Sequence, residues 1–242
     1  MKLRIAALPV VLTTFILGAC AGPPVDDDED TAGSADAVIG GTETFANPAV
    51  GVTTLDGATG CSATLVATNV ILTAAHCFEP NRSDVGPWQF EIRRSDTERY
   101  RYDTAEGFVN SRKGAGSDDV ALLRLKQRVP AAVARPIPIA RSWPSYGTTV
   151  SLVGFGCTNR TTGEGAGTKR SLSFRYTAAW SVGWVSSGTC PGDSGGGLLA
   201  AKASGPEVVG VLSGYQGATG LDLFGDAVKH RAKLLAQISA WQ

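Results

Sequence analysis

The pattern of apolar and polar positions changes near residue 38 of this 242-residue chain. From there onward, short runs rich in Val, Leu, Ile and Thr are separated by glycines and prolines. The 30 glycines and 12 prolines provide the turns that many short strands need. Helical spacing of apolar positions occurs over residues 227–238. The pattern therefore predicts an all-β protein with a C-terminal helix.

The first 37 residues follow a different pattern. Met1, Lys2 and Arg4 precede an apolar run from Ile5 to Leu17, which is too short to span a bilayer and is typical of a secretory signal. Residues 21–37 are rich in Pro, Gly, Ser and Asp, so we expect a disordered acidic propeptide or tether. The chain thus divides into a signal segment at 1–20, a tether at 21–37 and one folded domain at 38–242.

The segment Leu17-Gly18-Ala19-Cys20 resembles the lipobox of bacterial lipoproteins, in which the cysteine receives a diacylglyceryl group. The resemblance implies lipidation of Cys20 and anchoring in the bacterial cell envelope. A plain signal peptide, cut near Ala19 and leaving Cys20 as a spare thiol, is the alternative. Both interpretations predict an exported protein.

Composition and charge limit the classes of partner. With 43% hydrophobic residues, the chain can bury a core, and we expect a monomer. Lys and Arg total 22, as do Asp and Glu. The small basic excess after residue 37 is dispersed, which gives no reason to expect nucleic acid as a partner.

Three separated segments carry candidate chemistry. The first, TAAHC at 73–77, places one of only two histidines at the end of an apolar, strand-like run. The second, DDVALLRL at 118–125, sets an acid directly before the pattern of a buried strand. The third, CPGDSGGG at 190–197, surrounds an acid and a serine with glycines, which let backbone amides approach a substrate closely.

Taken together, in the order His, Asp, Ser, these segments resemble the signatures of the trypsin/chymotrypsin family of serine proteases. The resemblance extends from Val38 to the C-terminus and implies two packed, antiparallel, six-stranded β-barrels with the site between them. It implies the nucleophile Ser194, the general base His76 and the orienting acid Asp119, which directly precedes Val-Ala-Leu-Leu. Imidazole can take the serine proton near neutral pH. The amides of Gly192 and Ser194 would form the oxyanion hole.

An activation switch is implied by Val38-Ile39-Gly40-Gly41, which resembles the family's new amino terminus with its two β-branched residues exchanged. Cleavage between Ala37 and Val38 would free an ammonium group that folds inward and pairs with Asp193. Because an unpaired buried carboxylate is costly, we expect the uncleaved chain to be nearly inactive. Ala37 is not basic, which argues against a trypsin-type activator. Because Ala37 is small, self-activation is a hypothesis if the protease prefers small aliphatic side chains. With no cysteine at 26–37, cleavage would also release the domain from a lipid anchor.

Five cysteines in an exported chain predict disulfides. The family resemblance pairs Cys61 with Cys77. Setting aside Cys20, this leaves Cys157 and Cys190 as a second pair. Cys157 follows Gly-Phe-Gly, which resembles the family's Gly-Trp-Gly segment beside the active site.

The specificity pocket is implied by the resemblance alone. Its base falls at Gly188 and Thr189, where trypsin carries an aspartate, and its walls at Ser213, Tyr215 and Asp222. The bulky Tyr215 predicts a shallow pocket. Two outcomes stay open for Asp222. If Asp222 faces solvent, as a loop aspartate usually does, the narrow pocket favours substrates with small aliphatic side chains. If Asp222 points inward, the pocket favours Lys or Arg. We prefer the first outcome.

Two other classes of function are weighed against this one. An α/β-hydrolase esterase is suggested by Gly-x-Ser-x-Gly at 192–196 with His230 downstream, but that fold needs alternating strands and helices. A binding lipoprotein on a degenerate protease fold is disfavoured because every triad position is filled. We expect an exported serine endopeptidase acting on proteins or peptides through an acyl-enzyme. No cofactor, metal or nucleic acid is expected, and the membrane is contacted only through Cys20 before activation.

Overall fold

The computed structural model describes residues 38, 40–78, 88–110, 115–176, 181–182, 189–216 and 221–242. All of them fall within one structural unit that spans residues 34–242. The predictions about the signal segment, Cys20, the tether and Gly188 lie outside the described residues.

Strands dominate the described part of the chain, as the short apolar runs predict. In chain order they are β1 (Thr42–Glu43), β2 (Val50–Leu55), β3 (Ala58–Ala67), β4 (Val70–Thr73), β5 (Trp88–Arg93), β6 (Arg99–Val109), β7 (Ala121–Leu125), β8 (Thr149–Gly154), β9 (Arg170–Arg175), β10 (Ser181–Val182), β11 (Gly197–Ala200), β12 (Glu207–Gln216) and β13 (Leu221–Asp226). A short 3-10 helix spans Ala75–Cys77, and the α-helix α1 spans Arg231–Ala240.

The first sheet is a closed six-stranded barrel in the order β2-β3-β4-β7-β6-β5. Every neighbouring pair is antiparallel. Its strands carry large apolar side chains with no measurable exposure, among them Leu65, Leu72, Phe90 and Leu122. Burial of these large apolar groups is the main stabilising contribution to such a barrel.

The second sheet has the order β1-β9-β8-β11-β12-β13-β10. Five longer strands form its centre, and the two-residue strands β1 and β10 lie at its edges. Within the described residues these two edges do not pair with each other. The predicted all-β, two-sheet architecture with a C-terminal helix is confirmed, with one sheet closed and the other seven-stranded.

The C-terminal helix begins later than its apolar spacing suggests. The carboxylate of Asp226 accepts a hydrogen bond from the amide of Lys229 at 2.8 Å, which forms a turn ahead of α1. The helix then buries Leu234 and Ile238, one turn apart on the same face. None of the described helices has the length and apolar content needed to span a bilayer.

The two sheets meet where β3 and β4 face β11 and β12. The 3-10 helix follows β4, and the glycine-rich turn at 190–196 precedes β11. The segments at 73–77 and 190–197 are therefore brought to the junction of the sheets. The remaining segment, at 118–125, contains β7, which pairs with β4.

Candidate active site

The candidate histidine and acid form a direct pair. Pairing of β4 with β7 sets Thr73 opposite Ala121, so the residues just beyond these strand ends become neighbours. His76 Nδ1 lies 2.7 Å from Asp119 Oδ2, and the backbone N–H of His76 donates to Asp119 Oδ1 at 2.8 Å. A carboxylate only accepts hydrogen bonds, so Nδ1 carries the proton and Nε2 is left free to accept one.

Asp119 is enclosed at the end of the first barrel. It is 1% exposed, and the Ser213 hydroxyl donates to its Oδ2 at 2.6 Å. The amide of Gly116 in turn donates to Ser213 Oγ at 2.8 Å. Several donors around one buried carboxylate fix its position and orientation.

The neighbouring acid has a different environment. The Asp118 carboxylate is near-surface and contacts Lys229 Nζ at 2.7 Å and His230 Nε2 at 2.9 Å. Hydrogen bonds from these two groups lower the pKa of Asp118. The second histidine therefore belongs to a surface charge cluster and not to the site at His76.

The candidate nucleophile is held by its backbone. Ser194 accepts a hydrogen bond at its carbonyl oxygen from the amide of Ser62 at 2.8 Å. The next residue, Gly195, has φ +79°, and any side chain there would collide with Thr73 Oγ1 and the Ser62 carbonyl. Ser194 is thus placed against the end of β4, which leads to His76. In the described part of the chain no hydrogen bond joins the two side chains, a contact that often tightens only when substrate binds.

The two candidate oxyanion amides are available for a ligand. The Pro191 carbonyl accepts a hydrogen bond from the Cys157 amide at 3.2 Å. Because a trans peptide is planar, the Gly192 N–H then points the opposite way. Among the described residues, neither this N–H nor that of Ser194 has an acceptor. Unsatisfied amides of this kind can stabilise a developing oxyanion.

Asp193 lies beneath this turn with no measurable exposure. Its carboxylate accepts the amides of Gly156 at 2.7 Å and Cys190 at 3.1 Å. Burial raises the pKa of Asp193 to about 7. A Cβ atom at Gly154 or Gly156 would collide with this carboxylate, so the Gly-Phe-Gly spacing is a sequence signal for the site.

Val38 is also fully buried, but within an apolar cluster that includes Leu152, Leu198 and Phe224. In the intact chain it is followed and preceded by peptide bonds, so it carries no α-ammonium. The described residues show no ion pair to Asp193. Val38 has φ +37°, a conformation that is strained for a β-branched residue.

Two disulfides flank the site. Cys61 joins Cys77 with a Cα–Cα distance of 6.2 Å, and Cys157 joins Cys190 with a distance of 5.2 Å. These are the pairs expected from the sequence. Although Cys61, Cys77 and His76 lie close enough to suggest a metal site, both cysteines are oxidised and offer no thiolate.

The candidate specificity pocket contains a buried acid. Asp222 is 1% exposed and accepts the Thr189 hydroxyl on Oδ1 at 2.8 Å, while Oδ2 has no hydrogen-bond donor among the described residues. Burial raises the pKa of Asp222 to about 6. The expectation that Asp222 faces solvent is therefore wrong. It lies in β13 and not in a loop, and strand alternation turns it to the buried face with Phe224.

Sequence reasoning missed one residue at this pocket. The Arg160 guanidinium lies 4.3 Å from the centre of the Tyr215 ring and its Nε donates to the Thr189 carbonyl at 2.7 Å. Arg160 falls in a loop rich in Thr and Gly, where nothing in the sequence distinguishes it. Of the other wall residues, Ser213 is buried and Tyr215 is 36% exposed.

Two antiparallel β-sheets that bring a His–Asp pair against a Gly-Asp-Ser turn define a protein of the chymotrypsin-like fold. The family model described as Trypsin matches residues 38–229. The chain therefore belongs to the trypsin family.

Solved structures support the same fold. A structure of HBP at atomic resolution has 19% identity and a TM-score of 0.68, over 83% of this chain and 96% of that chain. Human heparin binding protein has 20% identity and a TM-score of 0.67, over 82% of this chain and 95% of that chain. At such identities the likeness shows the fold alone. No curated protein matches this sequence.

Proposed function

We propose that this protein is a serine endopeptidase that cleaves peptide bonds through an acyl-enzyme. The observation that carries the proposal is the buried Asp119 bonded to His76 Nδ1 at 2.7 Å, which leaves Nε2 free to accept a proton. Ser194 Oγ attacks the substrate carbonyl and its proton passes to Nε2. The resulting oxyanion is stabilised by the amides of Gly192 and Ser194.

The second half of the reaction uses the same groups. His76, now protonated and stabilised by Asp119, gives its proton to the leaving amine. A water molecule, deprotonated by His76, then attacks the acyl-enzyme and frees Ser194. These steps need no cofactor.

Labelling with a fluorophosphonate tests the function. The active protein is expected to incorporate one reagent molecule on Ser194, and Ser194→Ala is expected to abolish both labelling and peptide hydrolysis. His230→Ala serves as the matched control, because His230 contacts Asp118 and not the proposed triad. Loss of activity in this control would favour an esterase-type site. Absence of labelling in the active form would favour a binding protein on a protease fold.

We further infer a preference for substrates with Lys or Arg before the scissile bond. The support is Asp222, whose Oδ2 is buried without a hydrogen-bond donor among the described residues. An arriving ammonium or guanidinium group would supply the missing donors. Cleavage of chromogenic peptides ending in Lys, Arg, Ala, Val or Phe tests this preference. Faster hydrolysis after Ala or Val would instead support the small aliphatic specificity expected from sequence.

The protein is proposed to be made as an exported zymogen that is activated by cleavage between Ala37 and Val38. The disulfides fit an oxidising compartment. Asp193 supports the switch, because it is a buried carboxylate whose ion pair is missing among the described residues of the intact chain. The cleaved form is expected to be at least about a hundred-fold more active, because an ion pair to Asp193 would hold the turn that carries the oxyanion-hole amides in place, and such donors are worth that much. Equal activity of the intact chain would exclude the switch.

Anchoring of the precursor through lipid on Cys20 completes the proposal. The precursor should partition into detergent and a Cys20→Ala variant should not. Release into the aqueous phase is expected once Ala37-Val38 is cut. A precursor that stays aqueous with Cys20 intact would indicate a plain signal peptide.

A further inference from the structure

The strongest unassigned feature at the site is Ser62, the residue after Cys61 in strand β3. Ser62 has no measurable exposure, yet its side chain is fully hydrogen-bonded. Its hydroxyl donates to the Gly192 carbonyl oxygen at 2.8 Å and accepts the Phe155 amide at 2.9 Å. A buried hydroxyl that joins two backbone segments fixes their separation and orientation.

The backbone of Ser62 is bonded to the same region. Its amide donates to the Ser194 carbonyl at 2.8 Å, so one residue holds the carbonyls of both Gly192 and Ser194. Its own carbonyl accepts the Thr73 hydroxyl at 2.9 Å. Thr73 ends β4, three residues before His76. Ser62 therefore links the turn of the nucleophile to the strand that leads to the histidine.

The contact at Gly192 bears on the direction of its N–H. The Pro191 carbonyl, on one side of Gly192, is held by the Cys157 amide at 3.2 Å. The Gly192 carbonyl, on the other side, is held by Ser62. Glycine has the widest conformational freedom of any residue, and Gly192 adopts φ +101°. Fixing both flanking peptide planes removes that freedom and leaves the amide pointing one way.

We propose that Ser62 is a positioning residue for the oxyanion hole, acting through the Gly192 carbonyl and not through the substrate. This inference rests on the proposed peptidase function. Loss of the hydroxyl would let the Gly192 peptide units rotate, so that the amide no longer meets the developing oxyanion. Substrate binding outside the oxyanion hole would be unaffected.

The test compares Ser62→Ala with Thr53→Val in the full chain after activation. Thr53 is an equally buried hydroxyl that also accepts one amide and donates to one carbonyl, both belonging to Cys61. Among the described residues, no hydrogen bond joins its side chain to the turn at 190–196. For Ser62→Ala we expect kcat to fall roughly 10- to 100-fold with KM within about two-fold, somewhat less than loss of an oxyanion donor itself. For Thr53→Val we expect kcat to be unchanged.

Two further measurements separate positioning from general destabilisation. Affinity for a peptide boronate, whose tetrahedral adduct occupies the oxyanion hole, should fall in parallel with kcat in Ser62→Ala only. Ser62→Gly removes the same hydroxyl and keeps the backbone bond to Ser194, so it replaces the alanine variant if that does not fold. Wild-type kcat in either folded variant would overturn the role of Ser62. A wild-type protein that neither hydrolyses peptides nor reacts with a fluorophosphonate would overturn the proposed function, and this inference with it.

Discussion

Asp119 accepts three short hydrogen bonds on its two carboxylate oxygens, two from His76 and one from Ser213. Oδ1 accepts the His76 amide, while Oδ2 accepts His76 Nδ1 and the Ser213 hydroxyl. These contacts fix the carboxylate against rotation. The ring of His76, whose side chain is 32% exposed, can therefore face the cleft in one orientation and one tautomer.

Asp119→Asn should test that restraint. An amide at this position can present N–H to Nδ1, which would then have to accept, and Nε2 would carry the proton. We expect kcat to fall about ten-thousand-fold with little loss of stability. Steady-state kinetics on a peptide substrate measures the first effect and urea unfolding the second. The matched change Asp118→Asn, at the surface pair with His230, should leave kcat unchanged.

Asp222 predicts a pH-dependent specificity. Burial raises the pKa of Asp222 to about 6, so the carboxylate is ionised above that pH and neutral below it. The ratio of kcat/KM for an Arg substrate to that for an Ala substrate should fall as pH decreases through about 6. Because both substrates depend on the same proposed triad, any pH dependence of the chemical step cancels in the ratio. Asp222→Asn should give a low ratio at every pH, and an unchanged ratio would show that Asp222 does not contact the substrate.

At the scale of elements, the Cys157–Cys190 disulfide joins the end of β8 to the turn that precedes the nucleophile. The same two residues contribute amides to the Pro191 carbonyl and the Asp193 carboxylate. The bridge therefore has two effects. It constrains the unfolded chain, and in the folded protein it constrains the loop that carries the oxyanion amides.

Replacing both cysteines by serine should reveal these two effects. With a separation of 33 residues, the bridge is expected to contribute roughly 3 to 4 kcal/mol to the free energy of unfolding. We expect kcat to fall together with the free energy of unfolding, and kcat is measured at a temperature where the variant stays folded. Replacing Cys61 and Cys77 by serine provides the comparison, since that bridge holds the turn of His76 and not the turn of the oxyanion amides. A full loss of stability with unchanged kcat would show that the Cys157–Cys190 bridge has no part in positioning the turn.

At the scale of the whole molecule, the proposed activation would change the electrostatic balance of the interior. In the intact chain, burial raises the pKa of Asp193 from 3.8 to about 7. The folded state then binds this proton more tightly than the unfolded state does. The contribution of Asp193 to stability is present below pH 4 and is lost as pH rises to about 7.

The intact and cleaved forms should differ in this pH range. Both are prepared with Ser194→Ala to prevent self-digestion, and their free energies of unfolding are measured from pH 4 to 7. The intact form is expected to lose up to about 4 kcal/mol relative to the cleaved form, in which an α-ammonium group pairs with Asp193. Asp193→Asn should abolish the difference. Parallel curves for the two forms would contradict the proposed ion pair.

Some residues of the candidate site can be predicted from the sequence alone, and others cannot. The sequence favours Asp119 over Asp118 because Asp119 directly precedes a buried-strand pattern, and Asp119 lies beside His76 in the structure. Family resemblance predicts the Cys61–Cys77 pair, and Cys157 with Cys190 is the pair that remains once Cys20 is set aside. The solvent-facing position expected for Asp222 is wrong, because the sequence around it does not distinguish an exposed loop from the strand β13, in which Asp222 is buried. The sequence does not mark Arg160 or Ser62 as part of the site, since Arg and Ser residues occur in many environments and neither residue belongs to a recognisable motif.

The sequence by itself determined the all-β class, the family and the order of the candidate catalytic residues, because apolar periodicity and short motifs are local properties of the chain. The tertiary structure alone decided which side of β13 Asp222 occupies, which cation lies over Tyr215, and which hydroxyl holds the Gly192 carbonyl. These depend on strand register and on contacts between residues more than 25 positions apart, such as Ser62 and Gly192 at a separation of 130. Burial and hydrogen bonding at that range arise only once the two sheets have packed together.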